Sequence, residues 1–167
     1  KETMKKAGVP VIPGSEGAVR SVEEAVKAAK KIGFPLLVKA SAGGGGRDIR
    51  MVESMDQLPD QIEIARQEAK NFFGDDAVYM ERFVRNPRHI EIQILADKKG
   101  NTVHLGERDC SMQRRNQKVL EESPSPVMNE KLRKKMGEAA VKAAQACGYY
   151  NAGTIEFLVE NGKDFYF

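Results

Sequence analysis

RHIEIQILA, at residues 88–96, is the stretch of sequence that decides the fold. Apolar and polar residues alternate along it, and this period of two is typical of a strand with one buried face. The isoleucines share one face, and the opposite face carries three polar side chains: His89, Glu91 and Gln93. A polar turn at 97–101 followed by a return strand at 102–109 predicts an antiparallel pair. The sequence therefore indicates an antiparallel sheet with one apolar face that another element must cover.

Two helices are predicted before this sheet. The first begins with a capping box at Ser21 and ends at Gly33, with apolar residues at helical spacing between them. We expect the second to be capped by Asp56, to accept Pro59 in its first turn and to end at Gly74. Short apolar runs flank the second helix, so this part of the chain has the order strand, strand, helix, strand.

A third helix is predicted after Asn129, which is a favourable N-cap residue. Its apolar stripe runs from Leu132 to Cys147, and we expect Cys147 to lie in the core. A hairpin with the turn Asn161-Gly162 follows. Together these elements predict an α+β fold in which helices cover antiparallel sheet faces.

Both ends of the sequence suggest a piece of a longer chain. Residues 1–7 have the pattern of a helix without a cap, and residues 163–167 have the pattern of an apolar strand that still needs a partner. We therefore expect the function of the whole protein to be incomplete in this chain.

Composition argues against several classes of protein. The 167 residues are 41% hydrophobic and 31% charged, with a mean hydropathy of −0.50, and the charges sum to 27 − 24 = +3. Such interspersed and nearly balanced charge argues against a nucleic-acid partner. No apolar run approaches the roughly 18 residues of a membrane helix, so we expect no membrane partner. Two cysteines, Cys110 and Cys147, are too few for a disulfide scaffold and fit a reducing compartment.

A glycine-rich segment, with Gly43, Gly44, Gly45 and Gly46, joins two short predicted strands. Such a segment can bring backbone N–H groups close to an anion, and Lys39 lies at the end of the strand that enters it. No Gly-Lys-Ser/Thr follows as in a Walker A loop, and no helix follows as in a dinucleotide fingerprint. The arrangement fits a flap over nucleotide phosphates, and an ordinary hairpin tip remains the alternative.

Two further polar features have open interpretations. The run at 113–118 is either a charged surface loop or a set of cations and amides around an anionic substrate. Glu156 lies between apolar residues of a predicted strand, so it is either an exposed edge residue or a ligand of Mg²⁺. His89, Glu91 and Gln93 fit a solvated strand face, which is common in antiparallel sheets, and a site face is the alternative. The positions of His104 and Cys110 do not form a zinc pattern.

Four motifs together resemble the biotin carboxylase family of ATP-grasp enzymes. They are MKKAGVP at 4–10, VKAS at 38–41 before the glycine run, NPRHIEIQ at 86–93 and ERDCSMQRR at 107–115. The last motif is specific, whereas the glycine run alone is not, and the resemblance covers essentially the whole chain. It implies an ATP-grasp fold with an opening segment at 1–14, a lid subdomain at 15–84 and the start of the antiparallel catalytic lobe at 85–167.

The resemblance also implies an activity. Enzymes of this family phosphorylate bicarbonate with ATP, and the carboxyphosphate that forms breaks down to CO₂, which carboxylates biotin on a carrier domain. The cofactors would be ATP with Mg²⁺ or Mn²⁺. The partners would be bicarbonate, the biotin carboxyl carrier domain and a carboxyltransferase subunit or domain. The parent would be a homodimer in the cytoplasm, or in the mitochondrial matrix of a eukaryote, with a role such as fatty acid biosynthesis.

Residue roles follow from the same resemblance. Lys118 would hold bicarbonate, Gln113 and Asn116 would lie near the ATP phosphates, and Glu156 would be one Mg²⁺ ligand. The remaining matched positions would bind the nucleotide: Lys39, the lid glycines Gly43, Gly44, Gly45 and Gly46, then Glu81, Arg82, Val84, His89 and Gln93.

Two departures from the family pattern bear on these roles. Asp48 stands where the family has glycine, which places a negative charge beside a phosphate flap. Asn116 stands where the family has histidine, so this position can donate a hydrogen bond but carries no charge. The family's second Mg²⁺ carboxylate and its catalytic glutamate would follow residue 167, so we expect the isolated chain not to carboxylate biotin.

Two other functions stay open at this point. A carbamoyl-phosphate synthase-type ligase shares the ATP-grasp fold but is less similar at 107–115. A nucleotide-binding module without catalysis would agree with Asp48 and Asn116.

Overall fold

A computed structural model of the chain describes residues 1–41, 49–115 and 117–167. A short helix, α1 (Glu2–Lys6), opens the chain. The chain then divides into two compact units, which we call the glycine-loop unit (Ile12–Phe83) and the five-stranded unit (Lys1–Val11 with Val84–Phe167). No helix among the described residues is both long and apolar enough to span a membrane.

The elements of the glycine-loop unit follow the predicted order. They are α2 (Val22–Ile32), β1 (Leu36–Ala40), β2 (Ile49–Val52), α3 (Leu58–Phe73) and β3 (Val78–Arg82). The strands form an antiparallel sheet in the order β2-β1-β3. Residues on the buried face of this sheet, such as Leu36, Val38 and Met80, form one core with Leu58 and Ile62 of α3. The alternation of the strands and the helical stripe of α3 therefore meet in a single apolar layer.

The ends of these helices test the predicted caps. The Ser21 hydroxyl accepts a hydrogen bond from the backbone N–H of Glu24 at 3.2 Å, and Gly74 ends α3 in the left-handed region, so both predictions are confirmed. The prediction that Asp56 caps α3 is wrong, because the N-cap is Gln57 and it makes no side-chain cap. A turn before α3 already satisfies the N–H of the first helical residue, since the carbonyl of Met55 accepts the N–H of Leu58, so this N–H needs no side-chain cap.

The five-stranded unit contains an antiparallel sheet with one helix packed on it. Its elements are β4 (Arg88–Ala96), β5 (Thr102–Arg114), β6 (Gln117–Glu122), α4 (Glu130–Ala146), β7 (Asn151–Glu160) and β8 (Asp164–Tyr166). The strand order is β6-β5-β4-β7-β8. The β4 isoleucines are buried against α4, together with Phe157 and Met136. The Asn129 side chain caps α4 by accepting the N–H of Leu132 at 2.9 Å, as predicted.

Two predictions in this unit are wrong. The stretch expected as a loop at 113–118 belongs largely to a hairpin, because β5 continues to Arg114 and pairs with β6. Cys147 is exposed rather than in the core. It follows the last helical residue as the C-cap of α4, so the buried stripe of the helix ends before it. Cys110 on β5 is the buried cysteine.

Candidate functional site

In the glycine-loop unit, Lys39 and Glu81 form an ion pair on neighbouring strands. Lys39 on β1 faces Tyr79 on β3, and Glu81 lies two residues further along β3 on the same face. The Lys39 ammonium donates a hydrogen bond to the Glu81 carboxylate, and both side chains are largely buried. Arg82 is the last residue of β3. The structure thus brings together Lys39 and Glu81, two of the residues that the sequence assigned to the nucleotide, whereas Arg82 alternates to the other face of the sheet.

The glycine-rich segment joins two strands whose ends are paired. Lys39 on β1 lies opposite Ile49 on β2, so the predicted arrangement of strand, glycine segment and strand is an antiparallel hairpin. The glycines Gly43, Gly44, Gly45 and Gly46, and Asp48, lie outside the described residues. Their predicted role as a lid stays a prediction.

In the five-stranded unit, charged side chains from four strands meet on the sheet face opposite the buried isoleucines. Glu91 on β4 lies directly across from Arg108 on β5 and from Glu156 on β7. Two acids facing each other across a sheet repel, and a cation between them removes that repulsion. Lys118 of β6 supplies the cation, since its Nζ donates to Glu91 Oε2 and, at 2.7 Å, to Glu156 Oε1. We call Glu91, Arg108, Lys118 and Glu156 the charge cluster.

Glu91 is at the centre of the charge cluster. Its side chain is only 5% exposed, and its other oxygen accepts a hydrogen bond from Arg108 Nε at 2.6 Å. Burial by itself raises the pKa of Glu91, but hydrogen bonds from Lys118 and Arg108 outweigh it and hold the pKa below its ordinary value. Glu91 is therefore a buried anion stabilised by two cations.

Lys118 is held as a cation by the same contacts. Burial lowers its pKa, but the hydrogen bonds to Glu156 and Glu91 have the larger combined effect, so the pKa lies above its ordinary value. A lysine in this state does not act as a base at neutral pH. It can bind and orient an anion that reaches this face of the sheet.

His89 and Gln93 flank Glu91 on β4. His89 Nε2 lies 3.6 Å from Glu156 Oε2 and, among the described residues, has no hydrogen-bond partner although it is buried. The Gln93 amide donates to the carbonyl of Gly153 at 3.0 Å, and its oxygen accepts from Arg108 Nη1 at 3.0 Å. The interpretation of this strand face as merely solvated is therefore wrong, because each of its side chains is at least partly buried beside the charge cluster.

Three further residues were predicted for the site: Gln113, Asn116 and Val84. Gln113 faces Lys118 across the β5–β6 hairpin, and its amide donates to the carbonyl of Cys110 at 2.9 Å. Asn116, between β5 and β6 in the sequence, lies outside the described residues. Val84 begins the second segment of the five-stranded unit. The predicted nucleotide residues are thus divided between the two units.

Sequence reasoning missed Glu91 and Arg108 as members of the site. The alternation of β4 did place Glu91 beside His89 and Gln93, so the signal for its position was available. Nothing local indicated that it would be buried and bonded to two cations. Arg108 belongs to a conspicuous motif, yet its partner is 17 residues away and follows from the strand register alone.

A second polar group lies on the opposite face of the sheet and has a structural role. Glu107 on β5 accepts two hydrogen bonds from Arg133 of α4, at 2.8 Å each, and these hold its pKa below the ordinary value. Asp109 accepts from Arg88 and Ser125 at 2.8 Å. These bonds attach α4 and the segment before it to the sheet.

Some side chains of the five-stranded unit are possible ligands of a metal ion. Among the described residues, one group of three possible ligands comes together, formed by Glu91, Cys110 and Glu121. Lys118 and Arg108 already neutralise Glu91, and burial followed by the nearby Glu91 charge raises the pKa of the Cys110 thiol to about 12, so this group fits a metal poorly. Glu156 fits better, because its side chain is 51% exposed and Mg²⁺ sites often use a single carboxylate beside phosphates.

Comparison with known proteins gives one matching family. The description of that family is "carbamoyl-phosphate synthase L chain, ATP binding domain", and the match covers residues 1–167. Among curated proteins, biotin carboxylase from Nostoc sp. is 58% identical over the whole chain. Chloroplastic biotin carboxylase 2 from Populus trichocarpa is 57% identical over the same length. The chain spans 37% and 32% of these two relatives, about a third of their length.

A solved structure with 51% sequence identity matches the fold. It is the biotin carboxylase domain of 2-oxoglutarate carboxylase from Hydrogenobacter thermophilus, a dimer in complex with MgADP, ADP and bicarbonate. The TM-score is 0.87, and the match covers 100% of this chain and 37% of that one. The predicted α+β ATP-grasp fold and the resemblance seen in the sequence motifs are thereby confirmed.

Proposed function

Because this chain belongs to the family of carbamoyl-phosphate synthase L chain ATP-binding domains, we propose that its whole protein is a biotin carboxylase. The reaction is the ATP-dependent phosphorylation of bicarbonate to carboxyphosphate, which releases CO₂ and phosphate. The CO₂ then carboxylates a ureido nitrogen of biotin on a carrier domain. Within this proposal, the present chain supplies part of the nucleotide site and part of the anion site.

The observation that carries this proposal is the position of Lys118. Its ammonium is fixed between Glu91 and Glu156 on an otherwise polar sheet face. We assign Lys118 to bicarbonate, because a permanently charged amine stabilises an anion and the negative charge that develops on its oxygens. Gln113 and Asn116 of the adjoining hairpin are assigned to the phosphate side of the same reaction.

Nucleotide-binding roles are assigned residue by residue. Lys39 would contact phosphate oxygens, and Glu81, Arg82 and Val84 would hold the adenine. His89 and Gln93 would line the site in the five-stranded unit, and the unsatisfied His89 Nε2 supports this assignment. Gly43, Gly44, Gly45 and Gly46 would close over the phosphates and exclude water, which protects carboxyphosphate from hydrolysis.

Glu156 is assigned as one ligand of Mg²⁺. It is half-exposed, and its Oε2 oxygen makes only the long contact to His89 among the described residues. A bound Mg²⁺ supplies positive charge to the phosphate oxygens during phosphoryl transfer. Mn²⁺ would serve in the same way, because it also prefers oxygen ligands.

The partners follow from the proposed reaction. They are bicarbonate, a biotin carboxyl carrier domain, and a carboxyltransferase subunit or domain that uses the carboxylated biotin. We propose a homodimer for the whole protein, as in the Hydrogenobacter structure, and no nucleic-acid partner. We place it in the cytoplasm or, in a plant, in the chloroplast, where it would serve fatty acid biosynthesis.

A carbamoyl-phosphate synthase is the second candidate, and the description of the matching family favours it. Both enzymes phosphorylate bicarbonate, so they differ in the acceptor of the activated carbon. A protein of the relatives' full length that contains this chain should cleave ATP faster in the presence of biotin and bicarbonate. Stimulation by ammonia instead of biotin would overturn the biotin carboxylase proposal.

The contribution of Lys39 can be measured on the chain itself. Calorimetric titration with ADP and Mg²⁺ should detect binding, and Lys39→Ala should weaken it by about tenfold, the effect expected for loss of one charged hydrogen bond. Lys27→Ala is the matched control, because Lys27 is an exposed lysine of α2 in the same unit. Equal ADP affinity in the Lys39 and Lys27 variants would contradict the assignment of Lys39 to the nucleotide.

A further inference from the structure

We propose that Glu91 is a positioning residue, which fixes the Lys118 ammonium in the place where it meets the anionic substrate. This inference rests on the proposed function for the identity of that anion. The inference goes beyond the proposed function, because it assigns a role to a buried carboxylate that the proposed reaction does not itself use.

The first support is the way in which the two oxygens of Glu91 are shared. Oε1 accepts from Arg108 Nε at 2.6 Å, and Oε2 accepts from Lys118 Nζ. Arg108 is itself anchored, because its Nη1 donates to Gln93 Oε1 at 3.0 Å. Both lone-pair sides of the carboxylate are therefore in use, and Glu91 cannot turn without breaking contacts to a cation.

The second support is that Lys118 lies on an edge strand. All six residues of β6 are exposed, and the strand pairs only with β5 in the described part of the sheet. An edge strand packs its side chains less closely than a central strand, and 31% of the Lys118 side chain stays exposed, so polar contacts are needed to fix it. Glu91 lies on β4, which has a partner strand on each side. The Glu91–Lys118 bond ties an edge side chain to the rigid centre of the sheet.

The third support is a comparison of the carboxylates near Lys118. Glu156 also bonds Lys118, at 2.7 Å, but it is half-exposed and is the residue proposed for the metal ion. A carboxylate that contacts a metal ion has less charge to offer an ammonium. Glu91 is the buried carboxylate that keeps Lys118 in place while Glu156 binds the metal ion.

A direct test follows the Lys118 ammonium in the chain without any turnover. A hydrogen-bonded lysine ammonium exchanges its protons slowly, so its ¹⁵Nζ–¹H signal should be visible by NMR and should be identified by its loss in Lys118→Arg. We expect Glu91→Gln to abolish this signal or to speed its exchange. Persistence of the signal in Glu91→Gln with unchanged exchange would overturn the proposal.

The matched control is Glu121→Gln. Glu121 is another acid on this face, 3.6 Å from Arg108 Nε, but its side chain is 40% exposed. Glu121→Gln makes the same chemical change beside Arg108, and we expect it to leave the Lys118 signal as it is. Equal loss of the Lys118 signal in both variants would mean that net charge, and not the Glu91 contact, holds Lys118, and would overturn the proposal.

A kinetic test uses the protein of full length. Glu91→Gln should lower kcat by about 100-fold, the cost expected when a reacting group is misplaced by an ångström, and should raise KM for bicarbonate. Any rise in KM for ATP should be smaller, because Glu91 bonds Lys118 directly but reaches Gln93 only through Arg108. A parallel rise in both KM values would point to a general loss of structure and would contradict a positioning role.

Folding is controlled by a second variant. Glu91→Gln leaves Arg108 without its buried anion, which can destabilise the chain. The double variant Glu91→Gln with Arg108→Gln removes both charges and should fold, and it should still lose the Lys118 signal. The NMR result does not depend on turnover, so absence of biotin-dependent activity in the wild-type protein would reject the proposed function without rejecting this contact.

Discussion

The two units place their functional charges in different ways. In the glycine-loop unit, the ion pair of Lys39 and Glu81 joins neighbouring strands and sits beside a recognisable sequence feature. In the five-stranded unit, the charge cluster draws one side chain from each of four strands. A motif can therefore locate the first pair, whereas the second arrangement exists only once the register of the sheet is set.

Among the described residues, the five-stranded unit buries three acids, whereas the glycine-loop unit buries one, Glu81. Glu91, Glu107 and Asp109 in the five-stranded unit are almost fully buried, and hydrogen bonds hold the pKa of each below its ordinary value despite burial. The donors to Glu91 and Glu107 are cations, whereas for Asp109 the Ser111 hydroxyl has the largest lowering effect, followed by Arg88. In the glycine-loop unit, Asp76 bonds Arg66 but is partly exposed, so solvent screens the pair. The five-stranded unit depends more on ionised acids for its stability.

The largest expected effect comes from removing a core side chain in each unit. Phe157→Ala should destabilise the five-stranded unit by about 3–5 kcal/mol, because the ring is 1% exposed and packs edge-on against Phe165 at 5.4 Å. Met80→Ala should cost the glycine-loop unit about 2–5 kcal/mol, because Met80 is fully buried in the other core. Hydrogen exchange followed by mass spectrometry measures both losses.

Each loss should fall mainly on the unit that carries the cavity, because the two apolar cores are built from different residues. Peptides from the other unit serve as the internal control in each variant. Equal loss of protection throughout the chain would break the comparison and would show that the units unfold together.

Acidification should lower stability by an intermediate amount, mainly in the five-stranded unit. A carboxyl whose folded pKa is depressed stabilises the fold above its unfolded pKa of about 4, and this contribution is lost as the pH falls through the folded value. Glu91, Glu107 and Asp109 all have this sign. Amide protection measured between pH 7 and pH 3 should fall further in β4 and β5 than in β1 and β3.

Glu107→Gln sharpens the acid test. The variant should be less stable at pH 7, because Arg133 loses its charged partner, and it should show a shallower loss of stability in acid. A pH profile as steep as that of the wild type would exclude Glu107 from the acid response.

The smallest expected effect comes from the helix caps, one in each unit. Ser21→Ala and Asn129→Ala should each lower stability by about 1 kcal/mol, because each side chain accepts an N–H in the first turn of its helix. Gln57→Ala is the control at α3, where the N-cap side chain accepts the exposed N–H of Glu53 before the helix and no N–H of the first turn, so it should cost less than either cap. Urea denaturation measures all three, and an equal cost for Gln57 would contradict this interpretation of the caps.

Much of the fold could be predicted because its signals are local. The isoleucine alternation placed β4 correctly, and Ser21, Asn129 and Gly74 marked helix ends where the structure has them. The exposed Cys147 was missed, because a helical stripe does not reveal at which turn a helix leaves its sheet. Gly137 had no local explanation either, yet a Cβ there would overlap the imidazole of His104 on β5.

The site could be predicted only in part. Motifs selected Lys39, Lys118 and Glu156, and the structure places the last two in direct contact. Their link through Glu91 was not predicted, because it depends on a carboxylate that is buried and shared between two cations. Electrostatic partners of this kind are set by distance in space, for which spacing along the chain is a poor guide.

By itself, the sequence determined the order of helices and strands, the turn at Asn161-Gly162 and the family resemblance, since period, caps and motifs act within a few residues. Only the tertiary structure decided that the hairpin of β5 and β6 brings Lys118 to Glu91 and Glu156. The local sequence does not specify these contacts, because strand register is fixed by the burial of whole sheet faces against α4.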